Sequence, residues 1–360
     1  MRVAIDGRYW RSRFMTGVER YLNLIVEALE ASSRPLTVAV VATEAEARPL
    51  RQALAGHAEV MTVSDRRDST MESVLQAWRP DVVHYPFDLP SRIWPCSVFT
   101  LHDAGRYLFP EMMVERVRNT QTARLRQGLE SGRLKAVVTV SESSVRDIEF
   151  ALGELPCELT SVPNFVPAAF RSLVDDARRV AGTKSKSDFL LAVGVYIPTK
   201  NLGRVCKAFR AAAEESPQTT PAELRLVGRI GWDRGFPMNG AKKIRVLGHV
   251  TDATLATLYA ECAALIYGSL FEGFGLPIHE AILAGSRVIC SDIPVFREIA
   301  GDAATYFDPY DVADIARCIE AVPSLPVPSS VQRDRILAEY SAAATGRALA
   351  DVYDRAASLT

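Results

Sequence analysis

Short runs of Val, Ile and Leu alternate with longer amphipathic stretches along most of this chain. A short apolar run is typical of a strand buried on both faces, and an amphipathic stretch is typical of a helix that covers a sheet. The alternation therefore predicts an α/β fold with parallel sheets doubly wound by helices. The predicted strands are residues 2–5, 37–42, 59–63, 81–85, 98–101, 135–140, 159–162, 189–193, 224–227, 244–247, 264–267, 288–290 and 305–307.

The alternation is interrupted once, where the polar and basic stretch 178–188 lacks a strong core pattern. A chain of 360 residues is long enough for two domains. We predict a first domain at 1–168, a linker at 169–187 and a second domain at 188–330. The remaining stretch, 331–360, is predicted to be a helix whose apolar residues pack on a neighbouring element.

Composition argues against several classes of protein. A formal net charge of −1 provides no basic excess for a nucleic-acid partner. No apolar run approaches the ~18 residues of a membrane span or resembles a signal peptide. The six cysteines are scattered without a C-x-x-C pair, which favours reduced thiols over disulfides or a zinc site. We expect a cytoplasmic protein, either free or peripheral on the cytoplasmic membrane face, without a metal.

The stretch 272–280, which reads EGFGLPIHE, follows a predicted strand and opens a predicted helix with Pro in its first turn. Gly273 and Gly275 flank Phe274, so the backbone N–H groups from Gly273 to Leu276 are able to approach a ligand closely. The helix start behind them adds a positive dipole end. This loop is therefore a candidate cradle for a phosphate or pyrophosphate.

Two carboxylates, Glu272 and Glu280, bracket the cradle. A phosphate gains nothing from nearby negative charge, whereas a carboxylate accepts well from vicinal hydroxyls. A nucleotide sugar carries a hydroxyl-rich ring on each side of a diphosphate and would use one acid for each ring. The alternative is that Glu280 is only a helix-start residue favoured by the dipole and that Glu272 is a solvated loop charge.

The pair Glu272 and Glu280, with seven residues between them, resembles the E-x7-E signature of the retaining family-4 glycosyltransferases. The segments 281–285, 288–292 and 298–303 are similar to the continuation of that family's pattern. The resemblance implies the GT-B architecture, in which two doubly wound Rossmann-like domains face one another across a cleft. It also implies that the helix at 331–360 crosses back to the first domain and that the transferred sugar retains its anomeric configuration.

Lys200 lies in the stretch GVYIPTKN, at a predicted strand-to-helix turn with Asn201 as the predicted N-cap. The resemblance implies that Lys200 binds the donor phosphate, and the alternative is a solvated loop lysine. The family often has an Arg at the position of Val195 or of Thr199, and neither is Arg here. Arg229, at the end of the next strand, is the predicted replacement.

Two further positions are predicted to contact the donor. The resemblance implies that Val250 lies against the nucleotide base, while the alternative is a core Val ahead of a helix capped by Thr251. Gly17 opens the first helix and resembles the family's N-terminal glycine loop, where the backbone approaches a phosphate or sugar; the alternative is a plain turn glycine. No G-x-G-x-x-G follows the first strand, which counts against a nicotinamide or flavin enzyme.

His102 stands at the end of a predicted strand, where an imidazole is able to point into the crevice above the sheet. The resemblance implies that His102 contacts the transferred sugar, and the alternative is a structural His satisfied by Asp103. A basic stretch at 116–135 suits either contact with anionic lipid or an ordinary solvated helix; the acidic residues within it favour the second.

The sequence thus predicts a hexosyltransferase that uses a nucleotide-diphosphate sugar and a hydroxyl of a glycan or lipid-linked acceptor. The residues do not identify the base or the sugar. The resemblance implies surface polysaccharide or lipopolysaccharide biosynthesis, and in that setting we expect a mannose-type sugar from a GDP donor. Glu272 would orient the sugar hydroxyls, Glu280 the ribose and His102 the far side of the sugar. Lys200 and the loop amides would stabilise the leaving diphosphate without a metal or other cofactor. The alternatives are a sugar-nucleotide epimerase or phosphorylase on the same frame, or a non-catalytic glycan-binding partner.

Overall fold

The computed structural model describes residues 1–11, 17–54, 56–113, 115–182, 187–229, 231 and 243–360. Within these residues the chain divides into two compact units. The first unit is Met1–Phe165 together with Tyr340–Thr360, and the second is Val166–Glu339.

The first unit contains a parallel sheet in the order β3-β2-β1-β4-β5-β6-β7. Its strands are β1 Arg2–Asp6, β2 Thr37–Thr43, β3 Glu59–Val63, β4 Val82–Tyr85, β5 Ser97–Thr100, β6 Leu134–Thr139 and β7 Glu158–Ser161. Its helices in the described ranges are α1 Gly17–Ala31, α2 Glu44–Ala53, α3 Asp68–Trp78, α4 Gly105–Leu108, α5 Glu115–Glu130 and α6 Glu142–Leu152. The central strands β4 and β5 are buried along their whole length, as expected for strands covered on both faces.

The second unit contains a parallel sheet in the order β10-β9-β8-β11-β12-β13. Its strands are β8 Phe189–Val193, β9 Glu223–Val227, β10 Ile244–Gly248, β11 Ala264–Tyr267, β12 Arg287–Ser291 and β13 Thr305–Phe307. Its helices in the described ranges are α7 Ala168–Ala181, α8 Leu202–Glu215, α9 Asp252–Glu261, α10 Leu276–Leu283, α11 Pro294–Ala300, α12 Val312–Ala321 and α13 Ser330–Glu339. Every strand predicted from the sequence is present in one of the two sheets, with each end within about one residue of the prediction.

The predicted linker at 169–187 is wrong for most of its length, because this stretch contains α7. Phe170 and Val174 lie one turn apart on the same face of α7 and are buried, while most of the other positions are polar or small. The ring of Phe170 packs edge-on against Tyr259 of α9, with ring centroids 6.4 Å apart. Helix α7 has four large apolar residues in fourteen, and Phe170, Leu173 and Val174 have the i, i+3, i+4 spacing of a helix face. The polar and basic residues from Asp175 onwards make this short apolar face hard to recognise in the sequence.

The final stretch 331–360 forms two helices rather than one. Helix α13 ends at Glu339, and a second helix, α14 Ala342–Ser358, begins after Ser341. The hydroxyl of Ser341 accepts a hydrogen bond from Ala344 N at 3.3 Å, which is an ordinary N-cap. The break also separates the units, since α13 belongs to the second unit and α14 to the first.

Each sheet reverses its strand order at one place. In the first unit β1 lies beside β4, and in the second unit β8 lies beside β11, with the later strands added outwards on either side. In open parallel sheets the crevice beyond the carboxyl ends of two such strands is the usual ligand site. The segments that follow β1, β4, β8 and β11 are therefore the places to look for function.

A buried polar network joins four elements of the first unit. His84 of β4 makes hydrogen bonds through Nδ1 with the Tyr353 hydroxyl at 2.6 Å and through Nε2 with Thr100 Oγ1 at 2.7 Å. Thr100 Oγ1 in turn donates to the Tyr21 hydroxyl at 3.2 Å. Tyr21 lies on α1 and Tyr353 on α14, so these bonds hold α1 and α14 against the centre of the sheet.

All six cysteines lie in the described ranges and none forms a disulfide. Five are buried and Cys157 is half-buried, which agrees with the predicted packed thiols. Among the described residues, no helix is both long and apolar enough to span a bilayer.

Helix α14 packs so closely on α1 that residue 346 has to be glycine. A Cβ atom built on Gly346 would lie 1.8 Å from the carbonyl oxygen of Ala28. We expect Gly346→Ala to lower the free energy of unfolding by about 2 kcal/mol, because the helices must separate, despite the better helix propensity of Ala. Gly203→Ala in α8 is the matched control, since nothing lies within 4 Å of its Cβ position. Urea unfolding tests both variants, and equal stability of the two would contradict the packing argument.

His84 makes the stability of the protein sensitive to acid. Burial, with a smaller contribution from His102, lowers the pKa of His84 from 6.5 to about 3. Between these values the unfolded imidazole binds a proton that the folded one does not, so stability falls as the pH decreases below about 6.5. We expect the free energy of unfolding of His84→Gln to fall less steeply between pH 6 and 5 than that of the wild type, by about 1.4 kcal/mol per pH unit. Parallel slopes in urea unfolding would contradict this.

Candidate active site

Two segments that follow neighbouring strands bring Lys200 and Glu272 together. Lys200 ends a 3-10 turn, Pro198–Lys200, in the segment after β8, and Glu272 lies in the segment after β11. Leu270 N donates to the Thr199 carbonyl at 2.8 Å and ties the two segments to each other. The Lys200 ammonium forms an ion pair with Glu272 Oε1, and the two side chains are only 18% and 14% exposed. The neighbouring strands β8 and β11 thus place this pair where the strand order reverses.

Tyr267 and Ser269 complete the surroundings of the pair. Ser269 Oγ donates to Glu272 Oε1 at 2.7 Å, and the Lys200 ammonium donates to the Tyr267 hydroxyl at 3.4 Å. Burial by itself lowers the pKa of Lys200, but the charge of Glu272 and the phenol of Tyr267 outweigh it and raise that pKa above the usual lysine value. Lys200 therefore stays protonated at neutral pH and keeps three N–H donors.

The loop 272–275 leads into α10 through a strained glycine. Gly275 has φ of +116°, and a Cβ atom there would lie 2.9 Å from Phe296 Cε1, so both the conformation and the space require glycine. Phe274 is 4% exposed and its ring meets His279 edge-on, with ring centroids 5.2 Å apart. The side chain of Phe274 is thus part of the core. The predicted anion cradle would therefore be formed by the backbone of this loop and of Leu276, the first residue of α10.

Glu280 is buried in the second turn of α10 and is 4% exposed. Its Oε2 accepts a hydrogen bond from the Tyr259 hydroxyl at 2.8 Å. A carboxylate at a helix start that served only the dipole would face water. The burial of Glu280 and its specific phenol partner therefore argue against the simple helix-start interpretation.

The remaining donor candidates of the second unit lie in segments after β8, β9 and β10. Arg229 is exposed and follows Gly228, whose Cβ position lies 1.8 Å from the Gly194 carbonyl oxygen, so the segments after β8 and β9 touch backbone to backbone. Val250 is half-buried rather than in the core. It directly precedes Thr251, the predicted N-cap, whose hydroxyl accepts from Thr254 N at 3.2 Å.

Asn201 differs from its prediction. It occupies the N-cap position of α8, but with φ of +56° and without a side-chain bond to the helix. Its Nδ2 atom donates instead to the Pro309 carbonyl at 2.8 Å. Asn tolerates this left-handed conformation better than most residues, so its role is to turn the chain out of the Lys200 segment.

His102, in the first unit, is held by the segment after β4. Its Nε2 atom bonds to the Pro86 carbonyl at 2.9 Å, and its ring meets Tyr21 edge-on at 4.6 Å. Because a carbonyl only accepts, Nε2 carries the proton and Nδ1 is the acceptor of the neutral ring. Burial lowers the pKa of His102, and the Pro86 bond offsets only part of this. The neighbour Asp103 accepts instead from Gly105 N at 2.7 Å.

Gly17 is the first residue of α1, after β1. The preceding residues 12–16, which include Thr16 and part of the basic loop, lie outside the described residues. The structure thus brings Lys200 and Glu272 into contact and places Glu280 in the second turn of the helix that follows. Gly17 and His102 both belong to the first unit.

A cavity of about 290 Å³ lies elsewhere in the first unit, beneath the segment that joins β4 to β5. Its floor is apolar and includes Met71 and Tyr85. Three arginines and two acids line its walls. Arg8 pairs with Asp68 and Arg92 pairs with Glu72, whereas Arg133 donates to the Ile93 carbonyl at 3.2 Å. Four of these five charged groups are thus paired within the lining.

Sequence reasoning missed Tyr259, Tyr267 and Ser269. Tyr259 precedes its partner Glu280 by twenty-one residues, and no periodic or spacing rule connects them. Ser269 precedes Glu272 by three residues within the same loop, and this closeness in sequence was the one signal that could have identified Ser269 as a partner of Glu272.

Residues 174–340 match the family model described as Glycosyl transferases group 1. The O-antigen chain mannosyltransferase B of Escherichia coli is 30% identical over 256 residues, which are 67% of this chain and 65% of that protein. The serotype-specific mannosyltransferase WbdA of Escherichia coli is 30% identical over 246 residues, or 62% of this chain and 29% of that protein. The chain therefore spans less than two thirds of the length of either relative.

Two solved structures resemble the whole chain. The sucrose-phosphate synthase from Thermosynechococcus elongatus has a TM-score of 0.75 at 15% identity and covers 100% of both chains. Anabaena HepE, in complex with UDP and glucose, has a TM-score of 0.69 at 18% identity and covers 98% of this chain and 99% of its own. These likenesses confirm the predicted fold class, that of the GT-B glycosyltransferases with two parallel α/β domains.

The ion pair between Lys200 and Glu272 is open to a double-mutant cycle. We expect Lys200→Met and Glu272→Gln each to lower the free energy of unfolding, because each leaves a largely buried partner with a lost charge contact. The double variant should lose less than the sum of the two, with a coupling on the order of 1–3 kcal/mol in urea unfolding. Additive losses would show that the two side chains do not stabilise each other.

Proposed function

Since this chain belongs to the group 1 glycosyl transferases, we propose that it moves a hexose from a nucleotide-diphosphate sugar to a hydroxyl of a glycan or lipid-linked acceptor. One of the relatives quoted above is named an O-antigen chain mannosyltransferase and the other a serotype-specific mannosyltransferase. These names support mannose as the transferred sugar and surface polysaccharide biosynthesis as the setting, and GDP-mannose is the donor that we propose.

The contact between Lys200 and Glu272 is the observation that carries this proposal. In a nucleotide sugar the anomeric carbon is bonded directly to a phosphate oxygen, so a cation for the diphosphate and an acid for the sugar hydroxyls must be neighbours. An ammonium has three donors and is able to bond to Glu272 and to a phosphate oxygen together. A simple phosphate site would have no use for the acid.

The reaction breaks the bond between the anomeric carbon and the phosphate oxygen, and negative charge builds on the diphosphate. Lys200 and the amides at the start of α10, at Leu276, would stabilise that charge without a metal. Glu272 is engaged by Lys200 and Ser269, which suits an orienting acid better than a nucleophile. Retention of configuration is proposed from the resemblance of the Glu272 and Glu280 spacing to the family signature.

The other candidate residues take roles that fit their geometry. Glu280 would accept from the ribose hydroxyls, and Val250, half-buried before α9, would contact the base. Arg229 remains our candidate for the second cation, and Gly17 for a backbone contact with the donor. His102 would accept a sugar hydroxyl through Nδ1, because its Nε2 proton is committed to Pro86.

We propose a cytoplasmic enzyme, either free or peripheral on the cytoplasmic membrane face. Helix α5 carries the basic stretch considered above and buries only Leu125 and Gly128 among its described residues. Its remaining positions mix both signs of charge, which favours a solvated helix over one embedded in lipid. Any peripheral contact would therefore be weak and sensitive to salt.

Binding and turnover test the proposal with one panel of donors. We expect GDP-mannose to raise the melting temperature of the full chain more than UDP-glucose does, because only a ligand of the folded state stabilises it. With a glycolipid acceptor fraction, Lys200→Met and Glu272→Gln should each lower kcat/KM by about 100-fold, as the loss of a charge-assisted contact in the transition state implies.

Glu223→Gln is the matched control. Glu223 is a partly buried acid of the second unit that pairs with Arg225 at a distance of 2.6 Å, and it lies outside the Glu272 loop. It should retain full activity. No binding and no turnover of any nucleotide sugar at millimolar concentration would reject the proposal. Release of a sugar phosphate in the presence of phosphate would indicate a phosphorylase, turnover without an acceptor an epimerase, and binding without turnover a non-catalytic partner.

A further inference from the structure

Glu280 accepts a specific hydrogen bond from a buried phenol. The carboxylate is 4% exposed, and burying a charge is costly unless the group is paired or hydrogen-bonded. Tyr259, fully buried on α9, donates from its hydroxyl to Glu280 Oε2 at 2.8 Å. The phenol therefore sets where one oxygen of the carboxylate lies.

Tyr259 is itself held from two sides. Its ring packs edge-on against Phe170 of α7, with an interplanar angle of 86°. Its backbone carbonyl accepts a hydrogen bond from the hydroxyl of Ser286, which follows α10. The Phe170 contact fixes the ring, and the Ser286 bond fixes the backbone that carries it, so the hydroxyl of Tyr259 has little freedom to move and is suited to orient a neighbour.

Helix α9 also starts at the predicted base contact. Val250 and the capping residue Thr251 lie at its N-terminus, and Tyr259 lies two turns further along. A single rigid helix thus joins the residue expected to touch the base with the hydroxyl that holds Glu280. The distance between the base and the ribose is the same in every nucleotide, so a rigid helix suits a site that contacts both groups.

We propose that Tyr259 is a positioning residue that aims the Glu280 carboxylate at the ribose hydroxyls of the donor and couples that contact to the base contact through α9. This inference rests on the proposed function. Tyr259 does not touch the donor; it acts through Glu280. Without the phenol, Glu280 would lose the hydrogen bond that orients Oε2, and the protein would lose much of its preference for a ribose that carries both hydroxyls.

Isothermal titration with ribose and dideoxyribose nucleotides tests this. We expect the wild-type chain to bind GDP at least tenfold more tightly than 2′,3′-dideoxy-GDP, because hydroxyl donors to a carboxylate are lost in the second ligand. In Tyr259→Phe this preference should fall to within about threefold, mostly through weaker binding of GDP. The same comparison with UDP and 2′,3′-dideoxy-UDP covers a uridine donor.

Tyr306→Phe is the matched control. Tyr306 is another tyrosine of the second unit, and its hydroxyl donates to backbone carbonyls, the nearer being that of Gly301 at 2.6 Å. Loss of the Tyr306 hydroxyl should lower the free energy of unfolding by a similar amount, without changing the ratio of the dissociation constants for GDP and 2′,3′-dideoxy-GDP. A loss of preference in Tyr306→Phe equal to that in Tyr259→Phe would overturn the positioning role.

The outcomes separate this inference from the proposed function. If the wild type binds neither GDP nor UDP, both are overturned. If it binds them without any ribose preference, or if Tyr259→Phe keeps the full preference, the inference fails while the proposed function stands.

Should Tyr259→Phe not fold, Phe170→Leu decides, since it removes the ring that packs against Tyr259 but keeps the phenol. It should lower the preference several-fold, and an unchanged preference would overturn the inference.

Discussion

An ammonium and a carboxylate held together largely out of water are the constraint on which the second unit depends. Lys200 and Glu272 lie in segments that follow two neighbouring strands, and each would be costly to bury without the other. The two segments therefore have to approach each other closely, and glycines allow this because they have no side chain. The stem of Lys200 runs past Gly194, and a Cβ atom on Gly268 would lie 2.5 Å from Val205 Cγ2.

The two units share a strand order but use its reversal differently. In the second unit the reversal carries a charged pair with hydroxyl partners, which is suited to an anionic, hydroxyl-rich ligand. In the first unit the corresponding strands carry a neutral network around His84 that fastens α14 to the sheet. His102 stands beside this network through its contact with Tyr21. The first unit also has a charged pair at the end of β1, where Arg8 and Asp6 are both buried.

Local pattern was enough to predict the strands, because each buried strand is a short apolar run that is visible in isolation. It was not enough for α7, whose short apolar face adjoins a polar and basic stretch, or for the break at Ser341, where a side-chain cap starts a new helix. At the site, Glu272 and Lys200 stand in distinctive glycine-rich or strand-end contexts and were predicted. Tyr259 stands in an ordinary helical context and was not.

By itself the sequence determined the two parallel α/β sheets, the glycine loop between β11 and α10, and the identity of its acids, because propensity, periodicity and motif spacing are properties of neighbouring residues. Only the tertiary structure decided which side chains meet. It paired Lys200 with Glu272, gave Tyr259 to Glu280 and fixed the protonated nitrogen of His102 through Pro86. Those contacts join residues that are distant in the chain. The contacts of Lys200 and His102 exist because parallel strands bring their carboxyl ends to one edge of a sheet, and that of Tyr259 exists because α9 and α10 pack against each other.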